Sequence, residues 1–342
     1  MVDMRTGRYQ PVVRAVLLLL TGLLLISPVS PATAEEVCAA APLMTITALD
    51  YGSDRVEGGD AVLLSSGGSY LLMDTENNDE THKVIRYLKS HKIRKLSLYL
   101  SHWHEDHFFY LWEIMDDPYF TVEKLYLPKT TWVKQCAKSK YRNRDWYSNA
   151  VRCWKGIPAA GLYGAKSVIR KAKKEKVPVK YLKKGSSFQI GNAHAEVLWC
   201  GCSCKLSSRG FFEYMNDRSL VTKFTAGDMA YLTAGDINDE VFTLMKKRGL
   251  DLQADVYKLS HHGEGDTAAT IRMIRPAYTF YCDSTEKKGN IRWTAGRRKI
   301  AKMTHLYSVR YNGNITFRLY GKTAKTPVKV TTQRNRKASV VV

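Results

Sequence analysis

The sequence predicts an α/β protein, and three observations carry that expectation. Lys95-Leu96-Ser97-Leu98-Tyr99-Leu100 sets Leu96, Leu98 and Leu100 on one side, the period of a half-buried strand. Immediately before it, residues 81–93 repeat Val84, Ile85, Leu88 and Lys92 at helical spacing with charges elsewhere, as an amphipathic helix does. A strand over 70–73 precedes that helix, so the stretch reads strand–helix–strand. A helix over 111–116 and a strand over 124–127 repeat the unit. With 342 residues, 44% of them apolar, the chain has ample material for a buried core.

The other elements follow from the same periodicities. Strands are expected over 44–49 and 61–64, and a hairpin over 188–198 turns on Gly191-Asn192. Residues 231–237, Tyr-Leu-Thr-Ala-Gly-Asp-Ile, read as a strand that stops at Gly235-Asp236. Asp228, in Ala226-Gly227-Asp228, reads as the turn of the preceding hairpin. Further strands are expected over 255–260 and 277–282, with a helix over 271–274 between them. A closing hairpin over 309–319 would turn on Asn312-Gly313, and 322–342 would be a basic tail.

Chemistry concentrates in Ser101-His102-Trp103-His104-Glu105-Asp106-His107, where His102, His104, Asp106 and His107 fall within six residues at the end of a strand. Imidazole and carboxylate together suit zinc, manganese or iron, and two ligand sets this close suggest two divalent metal ions sharing one water. A solvated loop rich in histidine is the bland alternative. Three of the nine histidines interleaved with an aspartate weigh against it.

This heptapeptide resembles the His-x-His-x-Asp-His ligand motif of the metallo-β-lactamase superfamily. More narrowly, it is similar to the branch containing the hydrolase domain of competence DNA-uptake channel proteins and the secreted phosphorylcholine esterases of teichoic acid. Other stretches match that branch in its own order. Asp50-Tyr51-Gly52 and Gly59-Asp60-Ala61 resemble the halves of Asp-Val-Gly-x-Gly-Asp-Ala, parted by an insertion over 53–58. Leu71-Leu72-Met73-Asp74-Thr75 resembles a strand ending in Asp-Thr-Gly, with Glu76 in place of the glycine. Asn216-Asp217-Arg218-Ser219-Leu220-Val221 resembles the Asn-x-x-Ser-Leu-Val stretch that stands where many superfamily members carry a mid-chain ligand histidine. Gly235-Asp236 and His261-His262-Gly263 resemble the Gly-Asp and His-His-Gly-Ser signatures, with Glu264 for the serine.

The resemblance covers about residues 43–320 and implies a four-layer αββα sandwich with metals at one edge between the sheets. It implies that His102 and His104 hold one cation, that Asp106 and a downstream histidine hold the other, and that Asp236 bridges. Of the downstream pair, His261 is favoured as ligand, with His262 supporting a ligand or contacting substrate. His107 is the residue that separates phosphodiesterase and lactonase relatives from true β-lactamases. Asp74 would orient a ligand histidine. Asn216 and Ser219 would complete the catalytic surround with Asp106, and Asn216 or Asp217 could serve the less complete metal position.

Charge and the N-terminus bear on where such a site would work. Arg5, Arg8 and Arg14, the apolar stretch 15–26 and Ala32-Thr33-Ala34 read as a signal peptide over 1–34, cleaved near Ala34, and predict a secreted or surface-associated protein. An uncleaved anchor is the other reading. Of seven cysteines, Cys136 and Cys153 could staple an irregular insert, and Cys200, Cys202 and Cys204 could pair with Cys38 or Cys282. The formal charge is +21, and residues 129–184 alone carry +15, interleaved with Trp132, Tyr141, Trp146, Tyr147, Trp154 and Tyr163. Cations that neutralise phosphates beside rings that stack on bases suit DNA, RNA or another polyanion such as teichoic acid. The function expected is an exported metal-dependent phosphodiesterase using a metal-activated hydroxide. A lactone or β-lactam hydrolase with the same ligands, or a non-catalytic polyanion-binding protein, are the alternatives.

Overall fold

Apolar strands from both ends of the chain build one mixed sheet. The computed structural model describes residues 41–50, 59–76, 82–138, 140, 143, 147–157, 162–201, 215–282 and 291–334. In spatial order the first sheet runs β17 (Val328–Thr332), β16 (Ile315–Leu319), β1 (Met44–Ala48), β2 (Val62–Ser66), β3 (Ser69–Met73), β4 (Lys95–Tyr99), β5 (Thr121–Pro128) and β8 (Val179–Leu182). The second runs β15 (His305–Ser308), β14 (Tyr278–Tyr281), β13 (Val256–Lys258), β12 (Met229–Thr233), β11 (Val221–Ala226), β10 (Ala193–Trp199) and β9 (Ser187–Ile190). A two-stranded ribbon, β6 (Gly156–Ile157) and β7 (Leu162–Tyr163), stands apart in the basic insert.

The sheets face one another across an apolar core. Leu98 of β4, Phe224 of β11 and Tyr231 of β12 share one buried cluster, and Phe188 of β9 stacks on Tyr126 of β5 at 4.1 Å between centroids. Helix α1 (Lys83–Ser90) buries Val84, Ile85 and Leu88 against the first sheet. Helices α2 (Glu105–Phe108), α3 (Leu111–Asp116), α4 (Thr131–Cys136), α5 (Tyr147–Lys155) and α6 (Ala165–Lys174) follow it in the chain. Behind the second sheet, a separate apolar layer takes Val241, Phe242 and Met245 from α7 (Asp239–Lys247) and Ile271 and Ile274 from α8 (Ala268–Ile274). Ile300 of α9 (Ile291–Ala301) joins the same layer. Helix, sheet, sheet, helix is the four-layer αββα sandwich.

Strand direction positions the site. β3, β4, β5 and β8 are parallel, as are β12 through β15. In each parallel set the carboxyl ends gather on one edge, where the loops that follow can converge on a ligand.

Several expectations are corrected. Residues 309–319 are not a hairpin: Val309–Asn312 is a short helix, α10, whose end is shaped by the Ser308 N–H donating to the Asn312 side chain at 3.0 Å. Ile315–Leu319 instead pairs with β1 on one side and β17 on the other, so the 322–342 stretch contributes an edge strand. Phe108-Phe109-Tyr110 directly follow the motif, a position from which they would narrow the mouth of the site or stack on substrate; instead all three are buried in the core, which removes their apolar area from water. Cys153 and Cys282 are buried free thiols packed in the core, so neither forms the staple anticipated for it. Signal-peptide residues 1–34, Cys38, Cys202 and Cys204 lie outside the described residues, as do Tyr141 and Trp146.

Candidate metal centre

The motif begins two residues after β4 ends. Ser101–Trp103 bends, His104 is extended, and residues 105–108 form the single turn of α2, from which Asp106 and His107 project. Thr75, just past β3, clamps this turn: its N–H donates to the His107 carbonyl at 2.8 Å, and its hydroxyl accepts from the Tyr110 N–H at 3.2 Å. From the facing sheet, Asp236 sits three residues after β12, and His261 and His262 follow β13.

Four side chains meet there. Donor atoms of Asp106, His107, Asp236 and His262 all lie within 4.8 Å of one another. His107 Nε2 is 3.1 Å from Asp236 Oδ2, and His262 Nε2 is 3.1 Å from Asp106 Oδ2 and 3.4 Å from Asp236 Oδ2. His102 Nε2 approaches the same Asp236 oxygen at 3.8 Å, and its ring lies 4.6 Å from that of His104 and 4.2 Å from that of His107. Asp236 therefore stands between the His102 side and the Asp106–His107–His262 side. His261, favoured in the sequence, turns instead to Asn216, with its Nε2 3.3 Å from the Asn216 amide nitrogen. It is His262 that joins the cluster.

Around these residues lies a fixed shell. Asp74 Oδ2 is 2.8 Å from His107 Nδ1, and the Asp74 carboxylate also accepts from the Ser101 N–H and hydroxyl, both at 2.7 Å. An imidazole whose Nδ1 donates to Asp74 turns Nε2 toward the cluster, which sets the tautomer a ligand needs. Ser219 accepts the Asp236 N–H on its hydroxyl at 3.1 Å, and the Leu220 N–H donates to the Ser101 carbonyl at 3.0 Å, so the Asn216–Ser219 stretch ties the two halves together. Backbone strain gathers here too: Asp74, Glu76, His261 and His262 have φ between 50° and 56°. At Gly235, φ is 52° and a Cβ would lie 2.6 Å from that of Ser219, so no larger residue fits beside Asp236.

Electrostatics divides the cluster in two. Burial, with help from neighbouring His107, holds the His102 imidazole well below its usual range, and burial takes His104 down to about 4. Both are neutral at pH 7, with lone pairs available. Burial would lower His107 and His262 as well, but the carboxylates around them dominate and raise both well above the ordinary histidine value. The same contacts hold Asp106 and Asp236 below the usual carboxylate range against their burial. Protons on His107 and His262 thus balance carboxylates at a place where a divalent cation could replace them.

The donor set fits metal. It combines imidazole nitrogen and carboxylate oxygen, and both Asp236 Oδ1 and His102 Nε2 are buried without a hydrogen-bond partner. Two residues of the surround have no assigned role in the sequence reading. Asp60, matched only as part of its motif, and Lys258, on a strand with Val256 and Tyr257, form a buried ion pair beneath His262. A single lysine inside an otherwise apolar strand was the available signal.

The basic insert is partly structural. Lys134, Lys155, Lys166, Arg170, Lys173 and Lys174 are exposed. Lys171 is buried instead, paired with Asp116 and Glu175 and set 4.7 Å from the Trp112 ring centroid. Trp154 packs half-buried against the core rather than standing free for stacking. No described helix is long and apolar enough to cross a membrane.

Comparison with protein-family models and with curated proteins finds no match. Among solved structures, the chain is similar to CmlA, a diiron β-hydroxylase from Streptomyces venezuelae, at 12% identity and a TM-score of 0.47, over 86% of this chain and 55% of that one. The chain thus spans little more than half the length of CmlA. It is also similar to the metallo-β-lactamase fold protein YhfI from Bacillus subtilis, at 11% identity and a TM-score of 0.44, over 78% of this chain and 95% of that one. A third likeness is to Tm1679, a metal-dependent hydrolase of the β-lactamase superfamily, at 11% identity and a TM-score of 0.46, over 78% of this chain and 94% of that one.

Proposed function

We propose that the chain is an exported metal-dependent phosphodiesterase acting on a polyanion, either a nucleic acid or a teichoic acid. The observation that carries this reading is the meeting of Asp106, His107, Asp236 and His262 donor atoms within 4.8 Å, with His102 at the shared Asp236 oxygen. His102 and His104 would hold one divalent ion, Asp106, His107 and His262 a second, and Asp236 would serve both; zinc or manganese suits the donors. Bound there, such ions supply a nucleophile from water at neutral pH and Lewis-acid stabilisation of charge on phosphoryl oxygens.

The chain's own residues do the rest. Asp74 keeps the His107 proton on Nδ1, and Ser219 fixes the backbone at Asp236. His261, half-buried and hydrogen-bonded to Asn216, is the imidazole at the rim placed to meet substrate. Exposed cations of the insert attract a polymer of phosphodiesters and raise its local concentration. A second reading, a small neutral lactone or β-lactam hydrolysed at the same ligands, gains little from the cleft beside His102, which holds only about 30 Å³ and is lined by Lys129 and Arg218 as well as Trp103, Val133 and Leu220.

The test is turnover of plasmid DNA, RNA, bis-p-nitrophenyl phosphate and a chromogenic β-lactam by the purified chain, after EDTA and after added zinc or manganese. Metal-dependent cleavage of the phosphodiesters, lost in His104→Ala, is the expected result. Turnover of only the neutral substrate supports the second reading. Polymer binding without turnover of anything makes the protein a polyanion binder.

A further inference from the structure

Beneath the candidate metal centre lies a charged pair that the reaction does not use. Lys258 ends β13 with its side chain buried, and its ammonium pairs with the Asp60 carboxylate, itself buried. The same ammonium donates to the Leu259 carbonyl at 3.2 Å. Asp60 is fixed on both sides by backbone: its N–H donates to the Asp106 carbonyl at 3.3 Å, and its carbonyl accepts from the Glu76 N–H at 2.8 Å. Its other carboxylate oxygen lies 3.3 Å from His262 Nδ1, which is also 3.1 Å from the Cys282 carbonyl.

Two acceptors at Nδ1 keep the proton there and leave the His262 Nε2 edge to face Asp106 and Asp236. His262 has φ of 52°, a strained backbone conformation that persists only where surrounding contacts fix the residue, and the contacts on its ring include both grips on Nδ1. Lysine neutralises Asp60 where a lone carboxylate would be too costly to bury. The arrangement runs Lys258, Asp60, His262, then the cluster.

We propose that Asp60 and Lys258 are a positioning pair, holding His262 in the tautomer and orientation in which its Nε2 binds metal. Neither residue belongs to the four-donor cluster of Asp106, His107, Asp236 and His262. This rests on the metal-centre reading above, and the alternative is a buried pair that only holds the two sheets together.

The experiment separates these. Full-length protein is stripped of metal and titrated with zinc against a chromophoric chelator, and with cobalt to follow its visible absorption bands. Thermal midpoints are recorded for each variant. Asp60→Leu/Lys258→Met removes both charges and one of the two Nδ1 acceptors, leaving the Cys282 carbonyl, so it should keep a cooperative melt near the wild-type midpoint. Zinc affinity at one position should nevertheless weaken by about ten- to a hundredfold, with altered cobalt bands. Asp60→Asn/Lys258→Met restores an acceptor to Nδ1 and should recover most of that loss, to within about three- to tenfold of wild type. Wild-type zinc affinity in the Leu/Met variant would overturn the positioning role and leave the metal centre standing. A wild-type chain that binds neither zinc nor cobalt would overturn both. If the Leu/Met variant does not melt cooperatively, Asp60→Val/Lys258→Leu, which likewise lacks an acceptor at residue 60, takes its place, wild-type zinc affinity again overturning the proposal.

Discussion

At the scale of single residues, small groups set what larger ones can do. The Asp74 carboxylate holds the Ser101 N–H, the Ser101 hydroxyl and His107 Nδ1 together. Asp74→Ala should leave His107 free to rotate and weaken metal binding by about ten- to a hundredfold, measured by zinc competition; an unchanged affinity would remove Asp74 from the site. Asp266 offers a residue-scale pH test away from the ligands. Burial pushes its carboxyl up to about 7, against hydrogen bonds donated by Tyr257 and by the Ser260 N–H and hydroxyl. Between about pH 4 and 7 the native state keeps a proton that the unfolded chain has released, so stability falls as pH rises through that window and is level above it. Asp266→Asn should remove that fall, which is at most about 4 kcal/mol. Urea unfolding of both proteins at several pH values checks it, and parallel profiles would contradict the shift.

At the scale of elements, the site depends on the two sheets keeping their distance and register. Tyr99, the last residue of β4, reaches across the core to the Thr222 hydroxyl on β11 at 2.8 Å, just below the motif loop. Tyr99→Phe leaves the Thr222 hydroxyl to find another partner and should cost about 1 kcal/mol in denaturant unfolding. The Gly235 position is stricter. A side chain there meets Ser219 and forces a left-handed backbone on a residue that disfavours it. Gly235→Val should destabilise by at least about 1 kcal/mol and displace Asp236, so metal affinity and melting midpoint should fall together.

For the whole molecule, charge and metal are the global levers. The insert over 129–184 carries +15 of the formal +21, and its exposed lysines are a surface that salt should screen. Lys166→Ala/Lys173→Ala/Lys174→Ala should weaken DNA binding while sparing bis-p-nitrophenyl phosphate hydrolysis. The salt dependence of binding should flatten by about 0.7–0.9 for each phosphate the variant no longer neutralises. Fluorescence anisotropy across a salt series measures the slope, and equal loss on polymer and small ester would argue against a binding role. Because ions that bind only the native state stabilise it, chelation should also lower the thermal midpoint reversibly.

Local information was enough for much of this. The period of two in 95–100, the helical spacing of Val84, Ile85 and Leu88, and the clustering of His102, His104, Asp106 and His107 each depend on neighbours within one turn or one strand. They announced an α/β chain and one half of a ligand set. What needed the tertiary structure was everything that pairs residues far apart. Which of two adjacent histidines faces Asp236 depends on a positive φ and on two grips on one ring, from Asp60 far upstream and from Cys282, 20 residues downstream. That residues 315–319 pair with both β1 and β17, and that Phe108, Phe109 and Tyr110 are core, likewise follow from long-range packing. Periodicity tells which side of an element is apolar; only the assembled sheets decide what that side meets, because burial and pairing energies belong to contacts between distant segments.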